Sequence, residues 1–252
     1  MGVTELTVLG VFVLVVILLI LVQWQARRNG DPFALRPIAA FDALRAQKGM
    51  VMESGRRLLV NLGSGPLHTS AGPTSLMGVE VLDTVADTTG RGQLSPLATV
   101  GAATLLPIAN DKLRSKGEAS ASPPQQDMTR AHFIADESYP FAYAAGVADM
   151  IQQTNLESSI ALGRFGPELA LIGEAAARTG IAQVMGSDEP AAIAIALATT
   201  ENNVVGEELF AAGAYLRATP SRLAGVRVQD FLRWLIVTAL LLVAVLRILG
   251  LI

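Results

Sequence analysis

From Leu6 to Val22 the chain carries no charged residue. With its flanks, such a run is long enough to cross a bilayer as a helix, the conformation that satisfies every backbone polar group within one segment. A cleaved signal peptide is the competing reading. However, Glu5 rather than a basic residue precedes the run, and no small-x-small cleavage site follows before Gln23-Trp24-Gln25. Trp24 suits an interfacial aromatic. Arg27 and Arg28 follow it, so the positive-inside rule places the amino terminus outside and the rest of the chain in the cytoplasm.

A second apolar run extends from Trp234 to Leu246, then Arg247, then Ile248 to Ile252. Arg222, Arg227 and Arg233 precede it, so its positive side is again the domain side. Arg247 is costly at mid-membrane, but near the end of a span it can snorkel to the far headgroups. A helix lying in the interface is the alternative. Neither run carries a helix-packing motif, since Gly10 has no small residue four positions away.

Together these runs explain a composition that is 51% apolar and 16% charged, against about 25% charged in soluble domains. Two spans of roughly 20 residues each leave about 210 residues, room for one α/β domain with a full core. The expected organisation is an anchor over 1–28, a connector with an amphipathic helix over 29–55, the α/β domain over 56–220 and a second transmembrane helix over 221–252. The chain has no cysteine, and its histidines are His68 and His132. Thiolate or His-rich metal sites and a Cys nucleophile are therefore not expected. A net charge of −3 and 5% aromatic residues argue against a nucleic-acid partner.

Between the ends, short apolar runs alternate with helical patterns. After the breaker Asn29-Gly30-Asp31-Pro32, the segment Pro37 to Arg45 reads as the connector helix. Arg57–Leu62 with Leu76–Val85, and Leu97–Val100 with Leu105–Leu113, read as two strand–helix units. Ser115 to Gln126, rich in Gly, Ser and Pro, reads as a flexible loop. Four more units follow: His132–Ala135 with Tyr139–Gln152, Ser159–Leu162 with Pro167–Arg178, Ala182–Met185 with Pro190–Ala198, and Asn203–Val205 with Glu207–Leu216. About six βα units predict a doubly wound, mostly parallel Rossmann-like sheet of about six strands, not an eight-unit barrel.

In such sheets ligands bind where loops leave the carboxyl ends of strands. The first such loop, Asn61 to Ser75, is rich in Gly and hydroxyl groups and runs into a helix start, where backbone N–H groups can cradle an anion. The candidate ligand-binding residues are Gly63, Ser64, Gly65, Thr69, Ser70, Thr104 and Arg164. The nucleotide signature is incomplete: Gly63-Ser64-Gly65 continues as Pro66-Leu67-His68, the second strand ends at Val100-Gly101 without an acid, and there is no Walker lysine. A Ser64, His68 and Asp136 triad lacks the nucleophile-elbow spacing. Acidic residues in the later loops, Asp136-Glu137, Asp188-Glu189 and Glu207-Glu208, read as helix-start acids, with Asp188 as a cap before Pro190. Arg164 is placed to hold an anion or to pair with Glu168. The small-residue helices around Ala144 and Ala212 permit close helix approach, in the core or against another subunit.

The segments Arg57–Gly63, Thr99-Val100-Gly101, Tyr143-Ala144-Ala145-Gly146, Gly163 to Glu168 and Val205 to Leu216, set between two apolar ends, resemble an uncharacterised bacterial membrane family known only as a domain of unknown function. The resemblance covers roughly residues 40 to 220. It implies a Rossmann-like cytoplasmic domain at the bacterial inner membrane and supplies no activity, cofactor or catalytic residue. With no complete catalytic motif, the sequence reads as a non-enzymatic scaffold without cofactor or metal. Its expected partners are the lipid bilayer, further copies of itself and other membrane proteins. The alternative is a sensor domain that binds a small anion or nucleotide.

Overall fold

Each short apolar run becomes a strand of one parallel sheet, and the central strands are buried on both faces. A computed structural model describes residues 36–90, 95–117 and 130–248, with single helical positions at 16, 17, 20, 21 and 24. The strands are β1 (Arg57–Gly63), β2 (Leu97–Val100), β3 (Ala131–Phe133), β4 (Leu156–Arg164), β5 (Ala182–Ser187) and β6 (Asn203–Val205). The helices are α1 (Ala39–Ser54), α2 (Gly72–Gly90), α3 (Leu106–Gly117), α4 (Pro140–Gln153), α5 (Leu169–Thr179), α6 (Pro190–Thr199), α7 (Ala212–Leu216) and α8 (Pro220–Ile248). The six strands lie in the order β3-β2-β1-β4-β5-β6, every pair parallel. This is the doubly wound order in which the winding reverses between β1 and β4.

Alternation along β1 divides the core. Leu58, Val60 and Leu62 face a layer containing Phe41 and Leu44 of α1, Leu82 of α2, Leu113 of α3 and Ala212 of α7. Leu59 faces the other layer, with Tyr143 and Val147 of α4, Ile172 of α5 and Ala192 of α6. A leucine buried this fully contributes about 1.5–3 kcal/mol. Helix α1, expected as a connector lying on the domain, packs over β4, β5 and β6. It shares that face of the second half of the sheet with α2 and with the 3-10 segment Gly206–Ala211. It stops at Gly55, whose left-handed φ of 68° lets its N–H return to Val51 O.

Besides shifted bounds, such as α1 running on to Ser54 and α2 spanning Gly72–Gly90, the sequence reading and the structure differ at three further places. The single helix expected over Glu207–Leu216 is instead a 3-10 segment, Gly206–Ala211, followed by α7. The tighter winding buries Leu209, while Glu208 accepts the Val205 N–H. Helix α5 starts at Leu169 with Glu168 as its N-cap, so Pro167 lies in the preceding turn. Ser115 belongs to α3, and most of the loop expected to follow lies outside the described residues.

The chain divides into two compact units, Arg36–Leu216 and the terminal segments Met1–Leu35 with Arg217–Ile252. Among the described residues no helix is long and apolar enough to cross a membrane. The first expected span, apart from the single helical positions, lies outside those residues. The second corresponds to α8, which is helical throughout. Its charge-free stretch, from Trp234 to Leu246, provides about 20 Å of helix against about 30 Å of hydrocarbon. The two terminal transmembrane helices of the expected fold therefore have no support in the described structure.

Within the Arg36–Leu216 unit, the two chain ends meet. The Tyr215 hydroxyl donates to Arg36 O (2.5 Å), its ring stacks on Phe41 (centroids 4.8 Å apart), and Arg45 donates to Tyr215 O (2.7 Å). Arg36 also pairs with Glu208. The chain thus comes into the domain and leaves it at one corner.

Candidate functional site

The winding reversal puts the carboxyl ends of β1 and β4 side by side, and the loops above them form the crevice where ligands of such folds bind. Here the crevice is occupied by the chain itself. Gly63 closes β1 with φ 80°, and its carbonyl accepts the Gly101 N–H at 2.9 Å. The next residue, Ser64, donates its N–H to Arg164 O at 3.1 Å. Gly65 is where the Arg164 stem crosses the loop. A Cβ on Gly65 would stand 2.4 Å from Arg164 Cβ and 2.7 Å from Ser75 Oγ, so only glycine fits beneath the arginine.

The Arg164 guanidinium reaches over to the end of β5. It donates to Asp188 Oδ1 (3.0 Å) and to Glu189 Oε2 (2.5 Å). The other Asp188 oxygen, Oδ2, accepts the Thr74 hydroxyl at 2.7 Å in the first turn of α2. That turn is the positive end of the helix dipole, where a bound phosphate would sit. An internal carboxylate, that of Asp188, is hydrogen-bonded to a side chain of this turn. Glu168 adds a third acid, 2% exposed, whose carboxylate accepts the Gly166 N–H at 2.8 Å. The Arg164 guanidinium is thus matched by two carboxylates, Asp188 and Glu189, a balance that opposes an incoming anion.

Of the seven candidate ligand residues, Gly63, Ser64, Gly65, Thr104 and Arg164 come together, with Thr104 Oγ1 accepting the Leu67 N–H at 3.1 Å. Thr69 and Ser70 lie on the exposed outer turn of the loop. The Thr69 hydroxyl folds back to Pro66 O, and its oxygen accepts the Ala71 N–H. Two readings of neighbouring residues are corrected. Arg164 pairs with Asp188 and Glu189 across the loop and not with Glu168. Asp188 does not cap α6, whose N-cap is Glu189 without a side-chain cap bond. The reason is common to both, since the lateral neighbour of β4 is β5 and its loop is nearer than the next turn of the same segment. No hydrogen bond links Ser64, His68 and Asp136. The Ser138 backbone N–H, and then its hydroxyl, hold the exposed Asp136 carboxyl below its ordinary range.

Sequence reasoning missed the polar ladder under the crevice. Gly63 N–H donates to Tyr143 Oη (3.3 Å), Tyr143 O–H to Thr99 Oγ1 (2.9 Å), Thr99 O–H to Asn61 Oδ1 (2.8 Å), and Asn61 Nδ2 to Ser159 Oγ (3.0 Å). All four side chains are buried. Burial first, and the charge of Glu168 last, push the Tyr143 phenol above its ordinary value. The ladder ties α4, the crossover between the sheet halves, to β1, β2 and β4. Its one sequence signal is Asn61, a polar residue inside an apolar strand. Among the described residues no cluster of His, Asp or Glu could hold a metal ion.

A family model described as a domain of unknown function (DUF6754) matches residues 3–252, both ends included. No curated protein and no solved structure matches the chain. The chain belongs to the DUF6754 family.

Proposed function

We propose that this member of the DUF6754 family is a non-enzymatic interaction or scaffold protein, anchored in a membrane, that self-associates through its α/β domain. The observation that carries this reading is the filled crevice. The Arg164 stem lies on Gly65, and Asp188 is hydrogen-bonded to Thr74 in the helix-start turn that a phosphate would need. A fold of this class without an open crevice offers its outer surfaces instead.

Anchoring rests on the uncharged run from Leu6 to Val22 and on the exposed apolar side chains of α8, among them Trp234 and Leu240. The common corner of the domain's ends supports one membrane face for both terminal segments. In this reading each end spans once, the second only by adding the apolar residues 248–252 beyond Arg247 to the Trp234–Leu246 stretch; the α/β domain is cytoplasmic beneath a bacterial inner membrane, and both termini are outside. Arg247 then reaches the outer headgroups. Protease protection on inverted and right-side-out vesicles with terminal tags tests the topology. Domain digestion from outside with both tags protected would reverse it.

Two anchors confine diffusion to a plane, where a weak domain contact gains effective concentration. Mass photometry after detergent extraction is expected to show an oligomer, and a clean monomer at micromolar concentration defeats the proposal. Binding of a small anion or nucleotide, the second reading, is tested by thermal shift. A ligand at 100 times its Kd adds about 2.7 kcal/mol. The filled crevice predicts no shift with phosphorylated metabolites.

A further inference from the structure

The two helix layers that cover the sheet have unlike outer surfaces. Helices α1 and α3 carry charges outward, including Asp42, Arg45 and Asp111. On the other face, α6 has no charged residue at all along Pro190–Thr199, yet only Ala192 and Ala196 of it are buried. Its outward side shows Ala194 and Leu197, the latter 56% exposed. A helix apolar on all sides is ordinarily covered on all sides. The neighbouring helices continue the surface with Leu171 of α5 (41% exposed) and Phe141 of α4 (54% exposed).

We infer that the outer face of the α4–α5–α6 layer is the self-association surface, and that its occupant is a second copy of this chain in a two-fold arrangement. The inference rests on the self-association proposed above and names the surface responsible. Charge complementarity selects the occupant. Glu174 and Arg178 project from the middle of the layer, 62% and 75% exposed and paired at 2.7 Å in an i,i+4 bridge. Antiparallel packing of α5 on its two-fold mate brings each Glu174 opposite the mate's Arg178, the same patch meeting itself. Small outward residues such as Ala177 let the two helices approach closely. A lipid surface fits less well, because Asp149 and Glu174 outnumber Arg178 on these outer faces and anionic headgroups attract basic rims.

The chain has no cysteine, so one introduced thiol forms no disulfide within the chain, and a band at twice the chain mass reports a bond between two copies. Full-length Ala177→Cys in native membranes is expected to cross-link under mild oxidation. Ala46→Cys, exposed on α1 in the opposite layer, is expected not to. Leu197→Glu should weaken association at least tenfold by mass photometry. Glu174→Arg and Arg178→Glu should each weaken it, and the double exchange should restore it. The cross-link remains a test if Leu197→Glu fails to fold. Cross-linking at both thiols or at neither, from a wild-type oligomer, overturns the assigned surface and leaves self-association standing. A monomeric wild type overturns both. Loss of liposome binding by the domain face in Leu197→Glu, without loss of oligomer, assigns the surface to lipid and overturns the second copy.

Discussion

Replacing Gly63 by alanine tests whether the β1–β4 junction is as tightly closed as the crevice reading requires. Three costs act at this position. The backbone sits at φ 80°, and a left-handed conformation costs an L-residue roughly 1–2 kcal/mol. In addition, the new Cβ would stand 2.1 Å from Arg164 O, a backbone atom that cannot swing aside. Relieving that overlap means separating the strand ends, at about 1–3 kcal/mol for overpacking. The Ser64 N–H to Arg164 O bond is then lost, at about 1 kcal/mol. Gly55→Ala is the control: Gly55 has φ 68° with nothing within 4 Å of its Cβ position, so it carries the conformational cost alone. The two variants should differ by about 2–4 kcal/mol, or about 4–16 °C in Tm for a domain of this size. Circular dichroism melts of the full chain in one detergent measure both. Equal losses in the two variants would refute the close packing of Gly63 on Arg164.

Tyr143→Phe leaves Gly63 N–H and Thr99 Oγ1 without their buried partner, and urea titration should show a loss of about 1–3 kcal/mol. The same phenol sets an alkaline limit. Its folded pKa is raised, so its contribution is complete below the unfolded value of about 10 and is lost as pH rises above it. Melts between pH 8 and 11 should fall more steeply for wild type than for Tyr143→Phe. Arg164→Met keeps an aliphatic stem over Gly65 while unpairing two partly exposed carboxylates, so its denaturation midpoint should shift by less than about 1 kcal/mol. Arg164→Ala removes the stem as well and should lose about 1–2 kcal/mol more. Tyr215→Phe breaks the bond to Arg36 O, and hydrogen exchange should quicken at the start of α1 while β1 stays protected.

Much of the fold was legible along the chain. β2 and β6 fall where their apolar runs predict them, and the helices between strands lie within a few residues of their periodic patterns. Periodicity and turn chemistry act between neighbours in the chain, which is why one sequence suffices to read them. The sequence alone also determined the uncharged run from Leu6 to Val22 and the broken nucleotide signature after Gly65. The candidate site was legible only in part, as a loop rich in glycine. That the loop is filled was decided by partners far away in the chain: Asp188 on Thr74, 114 residues apart, and Asn61 on Ser159, 98 apart. Nothing local distinguishes Asp188 as a clamp for Arg164 from Asp188 as a cap for α6. The order of the strands decides it, because only with β4 between β1 and β5 does one arginine reach from the first loop to the acids after β5. The same holds for α1, whose pattern specifies a helix but not the strands β4, β5 and β6 on which it packs.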